Sequence, residues 1–417
     1  MGGDQKLGAE LGLLALVLIT GLILASPAVL LLALPIVVHV IFGMVLLKQG
    51  RDLSARRSLS SHRIHEGDSV DVELVVQKHG EGLDLALVTE DVALAEQRIE
   101  GPVSLAERVS DDQSLLLSYT ARPHRGYFPL EQVSICVRDL LGFVTWEGNL
   151  PCRSPLWVLP RYEVIGRVGL FPHRTLSVPG TAGSRRGGVG VQFFATRPYI
   201  PGDDLRRLNW KALARRHQTV VNLYEEERAA EVTVVLDGRD RVYQGMGGRE
   251  LFDQAVRACA ALCDSVIRDG HRTGLLLYGE RLEWIFSGGG RVQWERLLQG
   301  LAKAQLGFSE AFADLGNLPA RLFPGGSSII VVSPFAPGDE QALGMLRARG
   351  YDVLALVPAV SLLGKAEQTP EGLARRFLAL ERELMLQIIM SAGVRLAAWD
   401  PDCPLRPLVK AAWGRRM

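Results

Sequence analysis

A nearly unbroken apolar run occupies residues 7–47 and is interrupted at Ser26-Pro27. One helix of that length would be about 60 Å long, roughly twice the hydrocarbon core of a bilayer. The run therefore predicts two helices joined by a tight turn, a transmembrane hairpin. A secretory signal peptide is the alternative, but the second apolar half follows the first at once, which favours the hairpin.

Basic residues flank the run on both sides: Lys6 precedes it, and Lys48, Arg51, Arg56 and Arg57 follow it. Because cytoplasmic flanks carry an excess of Lys and Arg, both ends are predicted to face the cytoplasm. We therefore expect residues 1–57 to form two passes through the inner (plasma) membrane, with the remaining chain in the cytoplasm. His39 lies in the second half of the run, where we expect a helix-packing or interfacial role.

Apolar residues alternate with polar ones over much of residues 58–165, as in "DSVDVELVVQ", "SLLLSYTARP" and "EQVSICVRD". A period of two is typical of strands with one buried face. Short strands separated by Gly, Pro and Asp clusters predict a β-sandwich-like domain. We interpret "HRGYF" and "RDLLGF" as turns between strands.

From residue 231 to 417, strands that are apolar throughout alternate with amphipathic helices, beginning with "EVTVVLD" and continuing with "SSIIVVSP". This pattern predicts a doubly wound, mainly parallel sheet covered by helices on both faces. Sites in such sheets lie at the carboxyl ends of strands. Two of those ends are residues 237–241 and 333–337.

Composition and motifs limit the classes of partner and reaction that the sequence supports. The net charge is +1, so the whole chain is not an obvious polyanion binder. Five scattered cysteines without a CxxC motif suit reduced thiols in the cytoplasm. A phosphate-binding GxxxxGK[ST] loop, HExxH and GxSxG are all absent from the sequence, and "GSRRGGVG" reads as a flexible loop. We therefore assign no catalytic residue.

The strand end "VVLDGRDR" occupies the position at which von Willebrand factor A domains, which this region resembles, carry a DxSxS metal motif. The two serine positions are Arg239 and Arg241 in this chain, and a guanidinium cannot ligate a cation. Ser333 stands where that family usually supplies an aspartate. The motif is degenerate, so we expect neither bound Mg²⁺ nor another cofactor, and we expect Asp237 to pair with an arginine.

Residues 166–230 connect the two predicted domains and contain "ATRPYIPGDDLRRLNWKALARRHQTVVNLYEEE". Residues 185–216 include eight basic residues and only two acidic ones, which leaves nucleic-acid binding as an alternative. The acidic run at 225–227 favours a self-neutralising structural element instead. We predict one short helix capped by Asp203 or Asp204, with Leu205, Leu208 and Ala212 as its apolar stripe and Arg206 lying over Trp210.

The stretch "RGGVGVQFFATRPYIPGDDLRRLNWKALARR", followed by "VNLYEEE" and "VTVVLD", resembles the signature of domain of unknown function family 58. The residues that carry the resemblance are Arg197, Tyr199, Pro201, Gly202, Asp203, Asp204, Arg206, Trp210, Ala214, Arg215 and Glu227. The family pattern of a membrane hairpin, a β-domain with "RGYF" and "DLLGF", and a von Willebrand A-like domain covers nearly the whole chain.

Genes of this family often stand beside those of MoxR-type AAA+ ATPases. The resemblance therefore implies a membrane-anchored, cytoplasm-facing, non-enzymatic adaptor that acts with such an ATPase in assembling or activating complexes at the cell envelope. Two alternatives stay open. One is nucleic-acid binding through residues 185–216, and the other is an envelope-related enzyme that uses Asp203 or Asp204.

Overall fold

The computed structural model describes residues 3–38, 41, 53–78, 84–89, 98–109, 114–138, 145–166, 183–227, 230–244, 248–312, 314–358, 370–400 and 403–414. The chain divides into two compact units, Met1–Leu159 and Pro160–Met417. The predicted boundary between the β-rich domain and the connecting segment, at residue 165, lies six residues beyond this division.

Helices occupy the predicted hairpin region. Helix α1 spans Gly3–Ile23, α2 spans Pro27–Leu31 with Ser26 as its N-cap, and residues 33–38 are again helical. A Cβ atom on Gly21 would lie 2.7 Å from the Leu30 side chain, so glycine permits the close approach across the turn. Within the described residues, no helix has both the length and the apolarity that a membrane crossing requires. His39 lies outside the described residues.

The described residues of the first unit form eleven strands in three sheets. The strands are β1 (Leu53–Leu59), β2 (Arg63–His65), β3 (Val70–Lys78), β4 (Asp84–Thr89), β5 (Arg98–Glu100), β6 (Ser104–Val109), β7 (Ser114–Arg122), β8 (Gly126–Phe128), β9 (Gln132–Arg138), β10 (Thr145–Pro151) and β11 (Leu156–Leu159). Their orders are β1-β3-β7-β5, β10-β9-β4-β6 and β2-β11-β8. Strand β7 buries every second residue from Leu115 to Ala121, as its alternation predicts.

Two local expectations for this unit are wrong. Arg57, assigned to the basic membrane flank, lies in β1 with only 6% of its surface exposed, and donates hydrogen bonds to the carbonyls of Leu130, Cys152 and Gln132. "HRGYF" is not only a turn, because its last three residues form β8 and pair with β11. Most of "RDLLGF" lies outside the described residues.

In the second unit, β12 (Gly183–Pro198) and β13 (Val220–Glu227) form a two-stranded antiparallel sheet. "GSRRGGVG" was expected to be a flexible loop, but its backbone belongs to β12, where Gly183 pairs with Glu227. A 3-10 turn (Leu205–Arg207) and helix α3 (Trp210–Arg216) lie between the two strands.

A six-stranded sheet forms the centre of the second unit. Its strands are β14 (Glu231–Asp237), β15 (Arg272–Tyr278), β16 (Leu282–Gly288), β17 (Ser328–Val332), β18 (Asp352–Pro358) and β19 (Arg395–Trp399), in the order β16-β15-β14-β17-β18-β19. Only the β15–β16 pair of this sheet is antiparallel. All of β17 and β18 is buried, which is why these strands show no alternation in sequence.

Besides α3, the described part of this unit contains five helices that lie between strands of the six-stranded sheet and a last one that follows β19. They are α4 (Asp240–Tyr243), α5 (Gly248–Arg268), α6 (Gly290–Lys303), α7 (Asp339–Ala348), α8 (Pro370–Ser391) and α9 (Leu405–Gly414). Because β14 and β17 are parallel neighbours, their carboxyl ends meet at one edge. This arrangement brings residues 237–239 close to the loop that follows β17.

Candidate functional site

Four buried polar residues form a network where β14 and β17 end. The Arg239 guanidinium donates from Nε to Asp237 Oδ1 (2.9 Å) and from Nη2 to Asp237 Oδ2 (2.7 Å). It also donates from Nη1 to Asp339 Oδ1 (3.1 Å) and from Nη2 to Asp339 Oδ2 (2.7 Å). One guanidinium therefore contacts all four carboxylate oxygens.

Further donors hold these carboxylates in place. The Ser333 hydroxyl donates to Asp237 Oδ2 (2.6 Å), and its oxygen accepts the Phe335 amide (2.9 Å). The Ala336 amide donates to Asp339 Oδ2 (2.7 Å), and the Arg239 amide donates to Asp237 Oδ1 (3.0 Å). We call Asp237, Arg239, Ser333 and Asp339 the buried ion cluster.

The buried ion cluster is closed to solvent. Relative exposure is 0% for Asp237 and Ser333, 3% for Arg239 and 2% for Asp339. Burial alone would lower the pKa of Arg239, but hydrogen bonds and ion pairs with Asp237 and Asp339 outweigh that effect and raise it. Burial also raises the pKa of Tyr243, whose hydroxyl donates to the Asp237 carbonyl (2.8 Å). This edge is therefore a packed structural centre rather than an open apolar rim.

Sequence reasoning placed Asp237, Arg239 and Ser333 at strand ends but missed Asp339. The sequence pattern that could have indicated Asp339 is the helix start "PGDE", which follows the strand that ends near Ser333. Arg241, the other degenerate position, lies outside the buried ion cluster and forms an exposed ion pair with Asp314 (2.6 Å). The described residues contain no group of three or more His, Cys, Asp or Glu side chains arranged to hold a metal ion.

A shallow cleft of about 250 Å³ adjoins this edge, between the loops after β14 and β15. Its lining includes Gly238, Tyr278, Gly279 and Lys303. A Cβ atom on Gly279 would lie 2.7 Å from the Gly238 carbonyl oxygen, so the close approach of the two loops requires glycine at position 279. The cleft is smaller than the roughly 300–1,000 Å³ typical of small-molecule sites.

The signature segment is held by an ion pair between Arg197, in β12, and Asp203. Nη1 lies 2.7 Å from Asp203 Oδ2 and Nη2 lies 2.6 Å from Oδ1, and Oδ2 also accepts the Ile200 amide (2.9 Å). The hydrogen bond from Arg197, followed by the one from Ile200, lowers the pKa of Asp203. Gly202 adopts φ 107°, a turn conformation that favours glycine.

The predicted single helix is wrong in its start and in its apolar stripe. Asp204 accepts the Arg206 amide (3.0 Å) and caps only the 3-10 turn. Helix α3 starts later, at Trp210, where Asn209 accepts the Ala212 amide (3.0 Å) and donates to Asn222 (2.9 Å). The extended backbone of Leu208, which is buried and bridges to Val221, separates the two elements.

Large apolar side chains on this segment face solvent. Trp210 is 63% exposed and Leu205, predicted to be buried, is 62% exposed. Ile200 is also exposed, and so are three basic residues: Arg206, Lys211 and Arg215. We call Ile200, Leu205, Arg206, Trp210, Lys211 and Arg215 the basic-aromatic surface.

The remaining signature residues have structural places. The Tyr199 amide donates to the Thr219 carbonyl (3.0 Å), and Pro201 precedes the Gly202 turn. Glu227 ends β13, and its side chain lies outside the described residues. Because Asp203 binds Arg197 and the Ile200 amide while Asp204 caps the 3-10 turn, neither carboxylate is placed as a general base.

The chain is similar to one relative, to solved structures of another protein and to one family model. The chain is 24% identical over 277 residues to "Uncharacterized protein YeaD" of Bacillus subtilis (strain 168). The aligned region covers 65% of this chain and 67% of that protein. Two structures of proximal thread matrix protein 1 from the mussel byssus match with TM-scores of 0.25 and 0.30 and identities of 13% and 15%. Those matches cover 38% and 44% of this chain, which spans just under half of each mussel chain. Residues 195–368 match the family model "Protein of unknown function DUF58", and this matched region begins two residues before Arg197.

Proposed function

We propose that this chain is a membrane-anchored, cytoplasm-facing interaction protein that docks a partner through the basic-aromatic surface. The observation that carries the proposal is the 63% exposure of Trp210 on a segment that is otherwise firmly tied down. The Arg197–Asp203 pair and the caps at Asp204 and Asn209 order this segment before any partner arrives. Ordering in advance lowers the entropy cost of binding.

The chemistry of the basic-aromatic surface defines the partner. Trp and Arg are the residues that most often dominate the energetics of protein interfaces. Arg206, Lys211 and Arg215 favour an acidic surface, and Leu205 and Trp210 favour apolar pockets within it. Following the family resemblance, we propose that this partner is a MoxR-type AAA+ ATPase and that the complex assembles or activates other proteins at the cell envelope.

In this proposal the second unit is the binding module, with a von Willebrand A-like arrangement, and residues 7–47 anchor the chain in the bilayer as a hairpin. The six-stranded sheet with its mainly parallel strands supports the first statement. The apolar run and its basic flanks support the second.

The proposal is tested by retention of the cognate MoxR-type ATPase on the immobilised full-length chain in detergent, with and without ATP. We expect retention in at least one nucleotide state. Trp210→Ala should weaken it by about 30-fold, the loss of an interface residue worth about 2 kcal/mol.

Phe286→Ala is the matched control, because Phe286 is 70% exposed in the same unit but lies in β16. It should bind like the wild type. No retention in either nucleotide state would refute the ATPase as partner, and equal losses for both variants would refute the assigned surface.

The nucleic-acid alternative draws on the same exposed cations. It predicts binding to DNA or RNA that weakens steeply as salt is raised, because phosphate contacts release counterions. Salt-insensitive or absent binding by the full-length chain would exclude it.

A further inference from the structure

We propose that the Arg239 guanidinium permanently occupies the position of a divalent cation, so that the chain supplies from its own sequence the positive charge that its oxygen ligands require. This inference concerns the buried ion cluster and does not depend on the partner proposed above.

The oxygen atoms around Arg239 are those of a hard-cation site. Asp237 and Asp339 contribute two carboxylates, and Ser333 contributes a hydroxyl whose oxygen lies 2.6 Å from Asp237 Oδ2. Mg²⁺ favours such ligands. The two aspartates are at most 2% exposed, and two buried carboxylates without a cation would be strongly destabilising.

One nitrogen marks where a metal ion would sit. Arg239 Nη2 lies 2.7 Å from Asp237 Oδ2 and 2.7 Å from Asp339 Oδ2. These distances exceed the Mg²⁺–oxygen distance of about 2.1 Å by roughly 0.6 Å, so one small cation at that point could contact both carboxylates after a slight closure. With arginine present, the four oxygens are already engaged and Mg²⁺ does not fit.

The guanidinium carries one charge where a divalent cation would carry two. Backbone groups supply part of the difference, because the Ala336 amide donates to Asp339 and the Arg239 amide donates to Asp237. Asp339 also stands in the first turn of α7, where the helix dipole favours negative charge. The edge of the sheet is therefore assembled at all times and does not respond to divalent cations or chelators.

The test compares melting of the full-length chain in EDTA and in about 10 mM MgCl₂ or MnCl₂ at matched ionic strength, followed by tryptophan fluorescence. The wild type should melt at the same temperature in all three. Arg239→Ser should melt lower in EDTA, and the divalent cations should raise its melting temperature by about 3–6 °C, as expected for a site with a Kd near 1 mM.

Three further variants test whether the rescue is specific. Arg268→Ser removes the arginine from a single buried carboxylate, Asp264, and should show no cation rescue, because Asp264 is the one carboxylate that contacts Arg268 among the described residues. Adding Asp339→Asn to Arg239→Ser should abolish the rescue. Arg239→Lys keeps a cation in place and should fold without responding to Mg²⁺.

Several results would overturn the inference. One is a cation-dependent shift in the wild type that Asp339→Asn removes, since the site would then hold a metal despite Arg239. Another is an Arg239→Ser chain that folds but ignores both cations. An Arg239→Ser chain that stays unfolded with the cations present would count equally against it.

Discussion

Asp203 shows how one carboxylate can serve a structural purpose that its sequence neighbours do not reveal. It sits between the Arg197 guanidinium and the Ile200 amide, and both contacts favour its charged form. The pKa of Asp203 is therefore lowered. A group with a depressed native pKa stabilises the fold above its unfolded pKa and loses that contribution as the pH falls through the native value.

Because the pKa of Asp203 is lowered, the stability lost in Asp203→Asn should depend on pH. The variant should unfold at a lower urea concentration than the wild type at neutral pH, because the ion pair is lost. The difference should shrink below about pH 4, where aspartates in unfolded chains become protonated. Urea midpoints measured from about pH 7 down to about pH 3 test this, and a difference that is independent of pH would contradict it.

Arg239, in the core, is a second residue whose contacts reach beyond its sequence neighbours. Its spacing of two residues from Asp237 allows the guanidinium to fold back on the carboxylate at the end of its own strand. The sequence suggested that Asp237 pairs with an arginine, and the contact is present. It did not suggest that the same arginine would also bind Asp339, which lies 100 residues away.

At the scale of the element, helix α3 is short, and its stability depends on the contacts at its two ends. Asn209 caps the first turn through the Ala212 amide and also ties the helix to β13 by donating to Asn222. At the other end His217 adopts φ 53°, a left-handed conformation that closes the helix. Seven residues form too short a helix to be stable alone, so these contacts decide whether the basic-aromatic surface is presented.

Asn209→Ala should therefore lower the free energy of unfolding of the second unit by about 1–2 kcal/mol. Asn209→Asp keeps a side-chain oxygen acceptor and adds a negative charge at the helix amino end, so it should stay within about 1 kcal/mol of the wild type. Chemical denaturation measures both changes, and Lys211→Ala, an exposed neighbour, is the control. Equal losses for the alanine and aspartate variants at position 209 would argue against the cap.

At the scale of the whole molecule, the proposed function places both units in the cytoplasm, next to the membrane. The proposed hairpin predicts that the full chain sediments with membranes and resists extraction by alkaline carbonate. It also predicts that both ends of residues 7–47 face the cytoplasm.

A fluorescent protein fused at the carboxyl terminus should fluoresce, and alkaline phosphatase fused at the same position should be inactive. The same two reporters fused after residue 26, in the turn between the halves, should give the opposite pattern. An active phosphatase at the carboxyl terminus would contradict the cytoplasmic placement of the units.

Local pattern was enough for individual elements. The mainly apolar run of β14 and the alternation of β7 each predict a strand, because burial on both faces or on one face leaves a direct mark on the sequence. Pattern failed where context overrides it. The sequence places Arg57 among the basic residues that flank the predicted hairpin, but its side chain is buried. Burial is possible because three backbone carbonyls accept the hydrogen bonds that water would otherwise accept.

The sequence by itself determined the strand ends at Asp237 and Ser333, the Arg239 position beside them, and the Pro-Gly-Asp-Asp turn of the signature. Only the tertiary structure decided that Asp339 completes the buried ion cluster and that Leu205 and Trp210 face solvent. The reason is physical. Residue types and their spacing control local backbone geometry, whereas a contact across 100 residues or the exposure of a helix face depends on which strands lie side by side.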